Sequence, residues 1–430
     1  MSELLLLAAL LIFLMSMIFL RLEIAFAIGI TGVIWVLIAG EPLTVVASRS
    51  FSGMNSFTLL AIPFFILAGE LMNKVGISDT LIKIANMSLG RMRGGLAQAN
   101  IGSSMLFAGI SGSAIADVAA LGTVFVPRMS EEGFDRDFAA AVTAASSVIG
   151  PIIPPSNNLI VYGAVTGVSI GGLFAGAIIP GILLGVTLMV MVYIFSYWEE
   201  YPKYKPTTEE ENYPKLVGEG VVAITMPVII IYGIIGGFFT VTEAAAVACA
   251  YAILLGIFLQ TLSISDLYSA LYDSLDITAQ IFTMIGFSLI LAWMLARRNF
   301  PTIFGQFIQD LGVGQVGFLL LIATLLLFIG TWLSITATII MLAPTLDQLA
   351  TALGIHELQF GVIMVLALGY GLITPPLGVS LFAVSSVGDV KVWPVAKRVI
   401  PFYICFLIVL LLVILIPELT LYLPRSWGLA

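Results

Sequence analysis

Pro151-Ile152-Ile153-Pro154-Pro155-Ser156-Asn157-Asn158 lies inside an apolar run long enough to cross a bilayer, and Thr374-Pro375-Pro376-Leu377-Gly378 lies inside another. Paired prolines remove backbone donors and disfavour helix in the residue before them. At membrane depth such a break is tolerated only where the freed backbone is buried in protein or lines a cavity. Two broken spans in matching places point to a transport site near the bilayer midplane.

The rest of the chain fits that frame. Of its 430 residues, 60% are hydrophobic and only 10% charged, and mean hydropathy is +1.12. Repeated apolar runs of about 20 residues identify a polytopic helical membrane protein. Met1 to Leu20 carries no basic leader and no small-residue cleavage site, so a retained span is expected there. Cys249 and Cys405 sit in apolar runs and imply no disulfide framework. The one histidine, His356, cannot make a metal site alone, and no soluble part is large enough for conventional catalysis. The chain is therefore not expected to be an enzyme, to carry a cofactor, or to bind nucleic acid; its surroundings are lipid.

Expected full spans are Leu4–Leu20, Ile24–Gly40, Phe57–Met72, Phe138–Val165, Ile170–Trp198, Gly218–Phe238, Val241–Leu259, Ile277–Leu295, Gln359–Val387 and Ile400–Tyr422. Two further apolar segments, Gly94–Thr123 and Val316–Ala343, are crowded with Gly, Ser and Thr. Glu41–Asn55 and Ser263–Asp276 are amphipathic. The proline pairs are 221 residues apart, and the same offset takes Gly150 to Gly371, Gly109 to Gly330, Ser113 to Ser334 and the first amphipathic stretch onto the second. A constant offset over so many landmarks indicates an internal repeat.

Charge decides how the halves are related. With the N-terminus outside and the two Gly/Ser-rich segments taken as re-entrant hairpins, thirteen of the seventeen basic residues fall inside: Arg21, Lys74, Lys83, Arg91, Arg93, Arg128, Arg136, Lys203, Lys205, Lys215, Lys391, Lys397 and Arg398. Arg49, Arg297, Arg298 and Arg425 fall outside. That distribution obeys the positive-inside rule. The expected fold is an all-α polytopic inverted repeat with two re-entrant helical hairpins and two broken helices.

Hairpin tips need conformational freedom, and they end helices, leaving backbone groups free for ions. A half-helix N-terminus attracts an anion; unwound carbonyls suit a hard cation such as Na⁺. The neutral oxygens on offer are Ser111, Ser113, Ser156, Asn157 and Asn158 in the first half, and Thr331, Ser334, Thr336, Thr338 and Thr374 in the second. None is soft enough for a transition metal. The plain alternative for each small residue is close helix packing. Asp117 is the acidic residue within a hairpin, costly unless functional; its plain alternative is a position at the cytoplasmic mouth beside water or Arg128. Glu70 and Glu243 read as interfacial anchors, Arg297 and Arg298 as a solvated outer cap or a partner contact. Trp332 reads as a pocket wall or a lipid contact.

Leu60-Ala61-Ile62-Pro63-Phe64-Phe65-Ile66-Leu67-Ala68-Gly69, Ser111–Asp117, Ile153–Ser156, Phe239–Ala246 and Gly371–Pro376 together resemble the large membrane subunit of tripartite ATP-independent periplasmic (TRAP) transporters. The resemblance implies a multi-pass protein of the bacterial inner membrane and an elevator-type fold. It implies Na⁺-coupled import of an organic acid, of the sialic acid or C4-dicarboxylate class, delivered by a periplasmic binding protein. A small four-span subunit is implied as a separate polypeptide. One Na⁺ site is expected from Ser111, Gly112, Ser113, Pro154, Ser156 and Asn157, and a second from Gly330, Thr331, Ser334, Thr336, Thr374 and Pro376. Substrate is expected against Ser113, Asn158, Trp332 and Thr338, with Asp117 as a candidate functional carboxylate. The expected division is a scaffold with the first arm at 1–56, a first transport part at 57–169, a scaffold with the second arm at 170–273, a second transport part at 274–390 and a last scaffold span at 391–430. A stand-alone Na⁺/dicarboxylate symporter of related fold is the alternative. A membrane enzyme would need a polar catalytic cluster that one histidine does not supply, and no Gly-x-x-x-x-Gly-Lys-Ser/Thr motif marks an ATPase.

Overall fold

The computed structural model describes residues 9–10, 12–17, 20, 22–201, 213–299, 312 and 314–430. Most of the expected span Leu4–Leu20, with Arg21, Lys203, Lys205 and the Lys215 side chain, lies outside the described residues. Among those described, every element is helical, and six helical segments are long and apolar enough to cross a membrane.

The first half runs α1 (Ile24–Ile38), α2 (Thr44–Met54), α3 (Ala61–Val75), α4 (Ile77–Leu89), α5 (Gly95–Ser111), α6 (Ala114–Glu131), α7 (Arg136–Ser147), α8 (Asn157–Thr166) and α9 (Ile170–Trp198). The second runs α10 (Tyr213–Ile235), α11 (Val241–Phe258), α12 (Ile264–Arg297), α13 (Gln315–Gly330), α14 (Ile335–Ala352), α15 (Glu357–Gly371), α16 (Val379–Gly388), α17 (Val392–Leu415) and α18 (Glu418–Ser426). Shifting α6 by 221 residues gives 335–352, the bounds of α14, and shifting the start of α7 gives Glu357, the start of α15. Helices α5 and α6 form the first hairpin, α13 and α14 the second. Both expected proline breaks occur, between α7 and α8 and between α15 and α16, and both proline pairs are cis.

Three boundaries differ from the sequence reading. The second amphipathic stretch is not a separate helix: it continues into the next span as the 34-residue α12. No Gly or Pro interrupts that helix before Gly286, whereas α2 ends beside Gly53 and Asn55. The last span stops at Leu415 because Pro417 cannot extend the ladder, and α18 follows. Helix α4 was not anticipated; Lys83 and the basic residues that flank the helix masked an apolar stripe of Ile77, Leu81, Ile82 and Ala85 that packs on α5.

Packing gathers the helices into two groups, which meet where α12 lies on α14 and α3 on α5 and α8. Helix α12 lies along α1, α2 and α3, and α11 packs on α3. Helices α9 and α17 pack instead on α5, α7, α8 and α15, and α18 closes onto α9. Ion pairs tie the helix ends together. Arg398 bridges Asp135 (2.6 Å), Glu199 (2.7 Å) and Asp137 (3.4 Å), and Arg297 meets Glu41 at 3.2 Å. Arg297 is thus engaged within the chain, not only a solvated cap.

Candidate functional site

The first hairpin turns at Gly112, whose φ of +57° is left-handed. A side chain there would be strained, and its Cβ would lie 3.1 Å from the Asn157 nitrogen and 3.2 Å from the Pro155 carbonyl. Glycine therefore lets the first tip rest directly on the first break. At the second tip, the Gly378 N–H donates to the Thr331 carbonyl at 3.2 Å, and a Cβ on Gly371 would fall 2.4 Å from the Gly330 backbone. Each tip is seated on its own break, main chain against main chain.

Serines cap the helices that leave these junctions. Ser113 Oγ accepts from Ala116 N–H at 3.4 Å, Ser156 Oγ from Leu159 N–H at 3.4 Å, and Ser334 Oγ from Ala337 N–H at 3.2 Å. Side-chain oxygens at these positions satisfy donors that a helix start leaves open. The capped helices are α6, α8 and α14. Their first residues converge on one cavity of about 420 Å³, through Ser113–Ala116, Asn157–Asn158 and Ser334–Thr336. Three helix N-termini aimed at one space make a positive dipolar field suited to an anion. Thr336 Oγ1 donates to Asn158 Oδ1 at 3.0 Å, tying the second tip to the first break.

Several hydroxyls donate into their own helix: Thr331 to Phe328 O (2.8 Å), Thr338 to Ser334 O (3.0 Å) and Thr374 to Tyr370 O (2.9 Å). A hydroxyl whose proton is spent on a carbonyl keeps only lone pairs to offer, which suits a hard cation. Asp117 is fully buried; Ser111 Oγ donates to its Oδ1, and its Oδ2 has no partner. Gly150 makes room for that oxygen, since a Cβ there would sit 2.7 Å away. Asp117 is thus enclosed between the first tip and the first break.

The deciding observation is a match to the family described as "Tripartite ATP-independent periplasmic transporter, DctM component" over residues 11–419. The chain belongs to that family. As a DctM component it is a transporter permease subunit of the bacterial inner membrane and not an enzyme. It is 39% identical over 380 residues to a sialic acid TRAP transporter large permease of Vibrio cholerae, covering 88% of this chain and 89% of that one. It is 34% identical over 406 residues to a C4-dicarboxylate TRAP transporter large permease of Pseudomonas aeruginosa, covering 94% and 95%. The YdaH transporter of Alcanivorax borkumensis shares the fold, with a TM-score of 0.63 at 14% identity over 90% and 89% of the two chains.

In this DctM component the cavity gathers Ser111, Gly112, Ser113, Asn157, Asn158, Ser334 and Thr336 from the sequence reading. Pro154 and Ser156 are buried behind it, Ser156 donating to the Pro151 carbonyl. Gly330, Thr331, Thr374 and Pro376 belong to the second junction and do not line the cavity. Trp332 and Thr338 are not on the wall of this cavity either: Trp332 is 36% exposed, and Thr338 is fully buried one turn beyond the tip. Glu243 closes a capping box with Thr240 at the start of α11, so it is a helix cap. The sequence reading missed the opposite wall. Ile66, Gly69, Glu70 and Asn73 of α3 and Ile277 and Ile281 of α12 complete the cavity. Gly69 was the available signal: a Cβ there would lie 3.1 Å from the Ile110 carbonyl, so α3 touches the first tip.

Proposed function

We propose that this chain is the large permease of a Na⁺-coupled TRAP system importing an organic acid of the sialic acid or C4-dicarboxylate class. The convergence of three helix N-termini on one cavity, with neutral oxygens on the tips that face it, carries this reading. The dipoles suit a carboxylate; the lone pairs of Ser111, Ser113 and Asn157, and at the other junction of Gly330, Thr331, Ser334, Thr336, Thr374 and Pro376, suit Na⁺. Asn158 and Ser113 are placed for substrate. Asp117 sets the orientation of Ser111. Each Na⁺ entering down 100 mV releases about 2.3 kcal/mol, which drives uptake without ATP.

The transport movement is an elevator step in which the hairpins and broken helices slide past α1, α2, α3, α11 and α12. Packing supports adding α9, α17 and α18 to the moving part and keeping α3 and all of α12 with the scaffold, a revision of the division read from sequence. The acid reaches the cavity from a periplasmic binding protein, and a small four-span subunit supports the scaffold. The names of the relatives support both partners and both substrate classes.

Reconstituted uptake of sialic acid and of C4-dicarboxylates, with each partner omitted in turn and Na⁺ replaced by choline, tests this. Accumulation of one of these acids that requires Na⁺ and both partners is expected. Uptake unchanged in choline removes the coupling; uptake without the binding protein favours the stand-alone symporter.

A further inference from the structure

Glu70 is the one charged side chain among the described residues lining the cavity. It stands on α3, a helix outside the hairpins, next to the Gly69 that touches the first tip. The charges within reach of it are Asp273 on α12 and Lys74 one turn along α3. Lys74 is directed to Ser269 Oγ at 3.4 Å, and Ser269 donates to Asp273 at 3.2 Å. The tips that face Glu70 offer only neutral groups, Ser111, Ser113, Ser334 and Thr336. A lone carboxylate in a cavity of this dipolar character opposes the dipoles: it repels an anion and concentrates cations. We propose that Glu70 is the cation-collecting residue of the cavity, raising Na⁺ occupancy at the first tip from a wall that does not belong to the hairpins.

The proposal rests on the Na⁺-coupled reading. Its physical consequence is specific, because Glu70 acts through space and not as a ligand. Such an interaction is screened over about 10 Å at 0.1 M salt and about 3 Å at 1 M. A structural role for Glu70 has no such dependence. The offset counterpart of Glu70 is Leu291, buried among apolar residues, so the second half has no equivalent charge.

The test is Na⁺-dependent thermal stabilisation of the purified chain in nanodiscs, read with NaCl at low and high choline chloride. The proposal expects Glu70→Gln to raise the half-saturating Na⁺ about three- to tenfold at low ionic strength. It expects Glu70→Asp to retain most of the effect, and the native value to approach that of Glu70→Gln at high choline. A native response with Glu70→Gln indistinguishable at both ionic strengths overturns the proposal and leaves the Na⁺ reading standing. No native response to Na⁺ removes the reading and the proposal together.

Discussion

The two tip-to-break junctions share a backbone plan and differ in chemistry. At the first, Gly112 rests on Pro155 and Asn157, the prolines are buried, and Ser111 donates to a buried Asp117. At the second, Gly330 crosses Gly371, Pro375 and Pro376 are exposed, and the offset positions of Ser111 and Asp117 hold Trp332 and Thr338. The same contrast recurs where the halves cross. Helix α8 meets α14 through Thr336–Asn158 and through Tyr162 Oη donating to Asp347 Oδ1 at 2.6 Å. The counterpart crossing of α16 and α6 has Val379, Ile115, Ala383 and Val126 at those places. Duplication preserves what geometry requires, and the side chains are free to diverge. The first junction holds carboxylate and amide chemistry, while the second relies on main chain and threonine hydroxyls.

The largest effect that tests this contrast comes from glycine. Gly371→Ala drives a Cβ into the Gly330 backbone, which cannot give way, so uptake should fall to background and the yield of monodisperse protein should drop. Gly150→Ala meets chiefly the Asp117 side chain, with the Ser147 carbonyl a milder contact at 3.3 Å, and should fold, with reduced uptake. Equal loss in both would erase the distinction. Next, Asp117→Asn should lower Na⁺-driven uptake about tenfold, because a buried group tied to Ser111 is altered, whereas Thr338→Val should lower it less than about threefold. Matching losses would make the junctions chemically equivalent. Tyr162→Phe should destabilise by about 1–2 kcal/mol by thermal melting, as Asp347 loses a buried donor, and Ala383→Val at the apolar crossing should not depend on Asp347. The smallest effect is common to both halves: Ser113→Ala and Ser334→Ala should each cost about 1 kcal/mol as lost helix caps, and the double variant should weaken Na⁺ activation. Wild-type activation in that double variant would remove the tips as ligands.

The hairpins and breaks were legible because Pro-Pro and Gly-rich tips break the apolar pattern and repeat at a fixed offset. The charge distribution gave the inverted arrangement for the same reason: basic residues cluster in short loops. Glu70 was not legible. A lone carboxylate near the end of a span looks like an anchor until Gly69 is seen to bring α3 against Ile110. Trp332 was left between pocket wall and lipid contact because position at a tip does not fix the direction a side chain takes. The continuity of α12 follows from the lack of Gly and Pro across the join, a signal present in the sequence but outweighed by the change from amphipathic to apolar pattern.

The central claim is that both tips bounding the one cavity hold the transported ions, each at its own junction. Ile115, on the first tip, and Ile335, on the second, line it without being proposed ligands. The native cysteines, Cys249 and Cys405, are both buried. Replacing Ile115 or Ile335 with Cys and measuring the rate of thiol labelling, in NaCl and in choline chloride at equal ionic strength, tests the claim directly. The account predicts that Na⁺ slows labelling at both positions together. Labelling at both positions unaffected by Na⁺, or slowed at one tip alone, would contradict it.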